Sequence, residues 1–290
     1  MGFRVRSVML WLGSAAAVVG SSGCSGSGLV NALARTDGVV IERDLAYGPL
    51  ERHRYDLYTP AAADERTPLL LYVHGGSWQD GDKRDYHFLG SEFARAGLEV
   101  AVINYRLHPE VIQPGFVEDA SKAVAHVKRS HAGGRPLILV GHSAGAHIAA
   151  LVAGDRRYLE AEGTDACEAL AAFIGLAGPY DFTLTDPVLQ AIFPERLRED
   201  AKPVHHVERG FPPSLLLHGA SDETVPVRRS RQMEAALQAR GVPVDVKIYR
   251  DVGHVLIVGA IAPLVRNRAP TFGDMLDYVG NLSPERRGCL

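Results

Sequence analysis

Two short stretches of this chain pair a nucleophile with the backbone donors that an oxyanion needs. Leu139-Val140-Gly141-His142-Ser143-Ala144-Gly145 is an apolar run that ends in G-x-S-x-G. That spacing sets a serine on a sharp strand-to-helix turn, with its hydroxyl projecting above the edge of a sheet. Gly141 and Gly145 lack Cβ atoms, so strand and helix can approach closely while Ser143 is forced toward a strained backbone conformation. Upstream, Leu70-Leu71-Tyr72-Val73-His74-Gly75-Gly76-Ser77-Trp78 is a second apolar run that stops at glycines. Acyl transfer puts negative charge on a former carbonyl oxygen, and each preset amide facing it is worth about 3 kcal/mol. Ala144, opening the helix after Ser143, offers one such amide. The loop after His74 offers others from Gly75, Gly76 and Ser77, of which Gly76 and Ser77 are favoured.

These loops need a scaffold that brings strand ends together. Short, nearly continuous apolar runs at Leu69 to Val73, Val100 to Ile103, Leu137 to Val140, Phe173 to Leu176, Leu215 to Leu217 and Val244 to Tyr249 have the pattern of parallel strands covered on both faces. Helical periodicity lies between them, with Val117, Ala120, Val124 and Val127 on one face and Ser230, Met233 and Leu237 on another. Strand and helix therefore alternate, which predicts an α/β fold with a mostly parallel central sheet flanked by helices. Val39 to Tyr47 and Arg54 to Tyr58, either side of Gly48-Pro49, are expected to form its antiparallel edge. Between Phe182 and Phe211 the pattern weakens into Pro-rich, charged sequence, long enough for a helix or two and hence for a small partial cap.

The two glycine motifs, in this order and each after a buried-strand pattern, resemble the α/β-hydrolase superfamily. Within it the chain is similar to carboxylesterases carrying His-Gly-Gly-x-Trp, close to the hormone-sensitive-lipase-like esterases and to kynurenine formamidases. The resemblance runs from about Gly38 to the end. It implies a triad in the order serine, acid, histidine, and it places the acid at Asp222, in His218-Gly219-Ala220-Ser221-Asp222, and the base at His254, in Asp251-Val252-Gly253-His254. Asp181 and Glu223 are rival acids. His142, His147 and His218 read as hydrogen-bonded or exposed histidines and not as the base. His74 is expected to brace its loop, and Trp78 to pack beside an acyl pocket or simply in the core. The implied activity is hydrolysis of short-chain carboxylic esters through an acyl-enzyme on Ser143. An arylformamidase is the alternative, because His74 to Gln79 also reads as those enzymes do. A silent binding protein of the same fold would not need Ser143, Asp222, His254 and the glycine loop together.

With 290 residues, 46% hydrophobic and 22% charged, the chain suits one large catalytic domain over residues 38–290. A formal net charge of -3 with no dense basic block past the first residues argues against nucleic acid as a partner. A small-molecule ester remains as the expected partner. Arg4 and Arg6 precede an apolar stretch from Val8 to Val19, too short to span a bilayer and of signal-peptide length. Ser21-Ser22-Gly23-Cys24 resembles a bacterial lipoprotein cleavage box, with Ser21 in place of the usual leucine. Residues 1–23 are thus expected as a signal peptide, Cys24 as the lipid-bearing first mature residue, and 25–37 as a flexible tether. Export follows, to the periplasm or the outer membrane, with membrane contact only through the lipid. Cys167 and Cys289 are left as a candidate disulfide. No metal or organic cofactor is implied, since His205-His206 lacks the Cys or carboxylate companions of a zinc site.

Overall fold

Each of the six apolar runs forms a strand, and they lie side by side: five bury both faces, while Val244–Tyr249, at the sheet edge, leaves Asp245 exposed. The computed structural model describes residues 26–133 and 137–282. The strands are β1 (Val39–Ala46), β2 (Arg54–Pro60), β3 (Leu69–Val73), β4 (Glu99–Ile103), β5 (Leu137–His142), β6 (Ala172–Leu176), β7 (Ser214–Gly219) and β8 (Val244–Tyr249). They make one eight-stranded sheet in the order β1-β2-β4-β3-β5-β6-β7-β8. β1 pairs with β2 and β2 with β4 antiparallel, and every other pairing is parallel. The antiparallel edge is therefore where the sequence pattern put it.

Alternate residues of the central strands face two separate cores. Leu69, Leu71, Leu137 and Leu139 pack with helices Gly115–Val127 and Ala144–Gly154 on one face. Leu70, Tyr72, Ile138 and Val140 pack with helices His87–Arg95 and Thr271–Gly280 on the other. Burial on both faces explains why these strands carry no polar alternation. At the outer edge β1 has one side open, and its exposure alternates accordingly.

One expectation is corrected. Residues 26–32, read as part of a flexible tether, form a helix, Gly26–Ala32. Only Ser25 to Gly28 is small-residue sequence, and the Leu-Val-Asn-Ala-Leu-Ala that follows places Val30 and Ala34 against the second core. Asn31 pins the helix, its Oδ1 accepting from Phe88 N at 2.9 Å and its Nδ2 donating to the Arg84 carbonyl at 2.8 Å. The leader with Cys24, and Cys289, lie outside the described residues. Cys167 is disulfide-bonded, and its partner lies outside them too. No helix among the described residues is long and apolar enough to cross a membrane.

The order places the functional loops. The chain leaves β3 toward β4, then returns past it to β5, so β3 and β5 are neighbours whose following segments depart in opposite directions. A crevice opens outside the carboxyl ends at such a reversal, and ligands bind there in open α/β sheets. The His74 to Trp78 loop and Ser143 both sit on that edge.

Candidate active site

Ser143 follows β5 directly and precedes the helix Ala144–Gly154, with φ 55° and ψ -123°. A non-glycine residue is strained there. Two neighbours hold the turn. The Ser143 amide donates to the Leu176 carbonyl at 2.9 Å, and the glycines allow the packing: a Cβ on Gly145 would lie 2.1 Å from the Val73 carbonyl oxygen, and one on Gly141 2.3 Å from that of Gly145. No side chain fits at either position without moving backbone.

His254 lies on the loop after β8, and Asp222 on the loop after β7. His254 Nε2 is 2.8 Å from Ser143 Oγ, and its Nδ1 is 2.7 Å from Asp222 Oδ2. An ionised carboxylate only accepts, so Nδ1 carries the hydrogen and Nε2 is left to accept from the serine hydroxyl. Asp222 is itself fixed: Oδ1 accepts from the Thr224 and Val225 amides at 2.9 and 2.8 Å, and its side chain is fully buried. Residues from three strand ends thus meet as one hydrogen-bonded chain. Neither rival acid joins it. Asp181 accepts from Gln232 Nε2 at 2.8 Å and faces Arg229 and Lys202, while Glu223 points to solvent as an exposed residue.

The glycine loop is strained in its turn. Gly76 has φ 123°, and Ser77 and Trp78 have φ 52° and 61°, two consecutive left-handed residues that carry side chains. The Gly76 carbonyl accepts from the Gln79 and Asp80 amides, and Tyr105 Oη donates to the His74 carbonyl at 2.9 Å. His74 is buried against Tyr105, ring centroids 4.5 Å apart, and its Nδ1–H donates to the Gly75 carbonyl at 2.7 Å. It braces the loop, as expected. Gly75 runs beside Ser143, its missing Cβ only 3.1 Å from that of the serine. Across from it, Ala144 opens the helix with an amide that no carbonyl within the helix can accept.

Trp78 belongs both to the core and to the wall of a cavity. It is buried, edge-on to Phe193 and His147, and it also lines a cavity of about 310 Å³ that contains Ser77, Ser143 and Ala144. Its Nε1–H donates to His147 Nδ1 at 3.3 Å, and His147 Nε2–H donates to the Ala201 carbonyl at 2.7 Å. The segment after Phe182 holds one helix, Pro187–Ile192, and short 3₁₀ turns, a partial cap that contributes Phe182, Leu184 and Leu189 to the cavity. Two larger hollows, of about 520 and 350 Å³, contain no residue of this site.

Two histidines expected to be hydrogen-bonded or exposed support the chain through hydrogen bonds of their own. His142 Nε2–H donates to the backbone carbonyl of His254 at 2.9 Å, so the residue before Ser143 anchors the loop that carries His254. His218 donates from Nε2 to the Val225 carbonyl at 2.8 Å and lies 3.2 Å from Asp222 Oδ2. Both contacts are long-range or loop-dependent, and no spacing in the sequence signals them.

Burial keeps several of these rings neutral. Desolvation pushes His74 and His147 down to about 4, and His142 to about 3 with help from the nearby His254. In the unfolded chain each takes up a proton near pH 6.5. Their contribution is therefore whole above about pH 6.5 and shrinks as pH falls from there toward 4. At pH 5.5 each should have lost about 1.4 kcal/mol, so the unfolding free energy should drop by about 4 kcal/mol from its value at pH 7.5. Urea titrations at the two pH values check this, and equal stabilities would contradict it.

Residues 55–237, more than half of the chain, match the profile of the BD-FAE family. The chain belongs to the BD-FAE family. The BD-FAE match runs from β2 through the helix Arg228–Ala239, taking in the glycine loop, Ser143 and Asp222 and stopping short of His254. The isoprenylcysteine alpha-carbonyl methylesterase ICME of Arabidopsis thaliana is 31% identical over 242 residues, 74% of this chain and 56% of that protein. A kynurenine formamidase of Danio rerio is 27% identical over 232 residues, 74% of this chain and 75% of that protein. Esterase B of Lactobacillus rhamnosis, solved with a C4-C4 SN3 tributyrin phosphonate, is 21% identical with a TM-score of 0.75 over 90% of this chain and 91% of that one. That last likeness is one of fold, and the BD-FAE chain has the α/β-hydrolase fold. It spans little more than half the length of the first curated relatives it matches.

Proposed function

We propose that this BD-FAE chain is a serine carboxylesterase acting on short-chain esters. The observation that carries the reading is the unbroken relay from Asp222 through His254 to Ser143 Oγ, at 2.7 and 2.8 Å, opening on the 310 Å³ cavity. As Ser143 Oγ attacks the ester carbonyl carbon, its proton passes to His254 Nε2, and buried Asp222 stabilises the imidazolium that forms. The amides of Ala144, Gly76 and Ser77 receive the oxyanion. When the tetrahedral intermediate collapses, Nε2 returns the proton to the leaving alcohol and an acyl-enzyme remains. Water then repeats the sequence, with His254 again taking the proton, and releases the acid.

The cavity is near the lower limit for a ligand site, and its cap is one short helix. Esters with acetyl or butyryl groups are therefore expected to exceed a long-chain ester in kcat/KM, with no activation at an oil surface. A formamidase reading is favoured by one observation, the relative of that activity, and the triad itself serves both reactions because each passes through the same oxyanion. Measuring kcat/KM on a butyryl ester, a palmitoyl ester and N-formylkynurenine decides between them. An advantage for either of the last two refutes the short-chain esterase.

For the leader we keep the reading of an exported lipoprotein. Mass spectrometry of the membrane fraction from a bacterial host should find a diacylated Cys24 terminus, and Cys24→Ser should either release the protein or leave the precursor uncut. Membrane attachment without a lipid mass would refute it.

A further inference from the structure

The helix Arg228–Ala239 begins at the cavity, and its first two residues both line it. Cations at a helix N-terminus oppose the macrodipole, and this helix has no acidic residue in its first turn and no side-chain cap to offset them. Asp181 is the only carboxylate among the described residues lining the cavity, and it is already shared: Arg229 lies 3.5 Å from it, Lys202 3.7 Å, and Gln232 donates to it at 2.8 Å. Arg229 is further held by Gln232 Oε1 at 3.1 Å. Burial, and the neighbouring charge of Arg228, push Arg229 below its ordinary value. Arg228 has no hydrogen-bond or ion-pair partner among the described residues. Trp78, Phe182, Leu184 and Leu189 supply apolar lining.

Resting on the esterase reading, we infer that the preferred substrates carry a carboxylate, which Arg228 receives at the mouth of the cavity while Ser143 attacks the ester. A guanidinium presents a planar fork of donors to a carboxylate and forms short, charge-assisted pairs. With Lys202 paired to Glu199 at 2.6 Å, Arg228 and Arg229 against the one lining carboxylate leave this side of the cavity positive, and a cleft of one sign draws in ligands of the other. Asp222 is buried and committed to His254, and Glu199 is committed to Lys202. Arg228 is thus a specificity residue and takes no part in the chemistry.

Two matched pairs test it, one for each arm of the ester. 4-Nitrophenyl hemiglutarate against 4-nitrophenyl pentanoate puts the charge on the acyl group, and 4-carboxyphenyl acetate against 4-carbamoylphenyl acetate puts it on the alcohol, with spontaneous hydrolysis subtracted from each. In at least one pair, Arg228→Gln should lower the anionic-to-neutral ratio of kcat/KM at least about tenfold, and Arg228→Glu should lower it further. Arg228→Lys should hold the ratio within about threefold, since it keeps the charge and loses only the fork. Raising potassium chloride from about 0.05 to 0.5 M should erode the wild-type preference and leave the Arg228→Gln ratio nearly flat. The pair that responds identifies the arm. Ratios that do not move with Arg228 in either pair, while all four esters are turned over, overturn this inference and leave the esterase standing. No turnover of any ester by folded protein overturns both.

Discussion

Ser143→Ala and His254→Ala should each lower kcat on a short-chain ester by at least about a thousandfold, and the double variant should be scarcely slower than either alone. The non-additivity follows from the relay. Without His254 the Ser143 hydroxyl keeps its proton and attacks poorly; without Ser143 the imidazole has nothing to deprotonate that is held at the carbonyl. What survives is the oxyanion site, which still stabilises attack by water. Neither change should disturb the fold, because Ser143 packs at the sheet edge and its oxygen contacts only the His254 ring among the described side chains. Matching circular dichroism and thermal midpoints, together with loss of fluorophosphonate labelling for Ser143→Ala, complete the check. Additive losses would dissolve the unit.

Asp222→Asn should lower kcat by on the order of a thousandfold or more with a small effect on KM. The surroundings dictate how the amide must lie. Oδ1 accepts from two backbone amides, Thr224 and Val225, so the asparagine has to put its oxygen there and turn its NH₂ toward His254 Nδ1. That nitrogen must then accept, which moves the ring hydrogen to Nε2 and leaves no lone pair for the serine proton. Asp181→Asn is the control. Its carboxylate bonds Gln232 and faces Arg229 and Lys202, with no contact to His254, and kcat on a neutral ester should stay within about tenfold of wild type. If the two variants exchange these outcomes, the acid is Asp181.

Much of this architecture was legible because it rests on local pattern. Leu69 to Val73 and Leu137 to Val140 carry no polar residue, and only a strand covered on both faces tolerates that. The turn at Ser143 was legible for a similar reason, since two glycines flanking a serine after such a strand have few other uses. The helix Gly26–Ala32 was not legible. Its seven residues are too few to form a stable helix alone, and what holds them is the Asn31 contact with the segment from Arg84 to Phe88, more than fifty residues away.

The residue types and their order along the chain determined by themselves that a serine, an acid and a histidine stand at strand ends, because strand, turn and helix signals are set by neighbours within a few positions. Which strands lie side by side was decided only in three dimensions. β3 sits between β4 and β5, and that order alone brings the His74 to Trp78 loop over Ser143. The tertiary structure likewise decided that His142 bonds the His254 carbonyl 112 residues on, and that Asp181 and Arg229 share one wall while Arg228 is left without an acid. Such contacts join positions that no periodicity relates. They exist because burying the two faces of the sheet fixes where every loop must emerge, and only then do distant side chains find their partners.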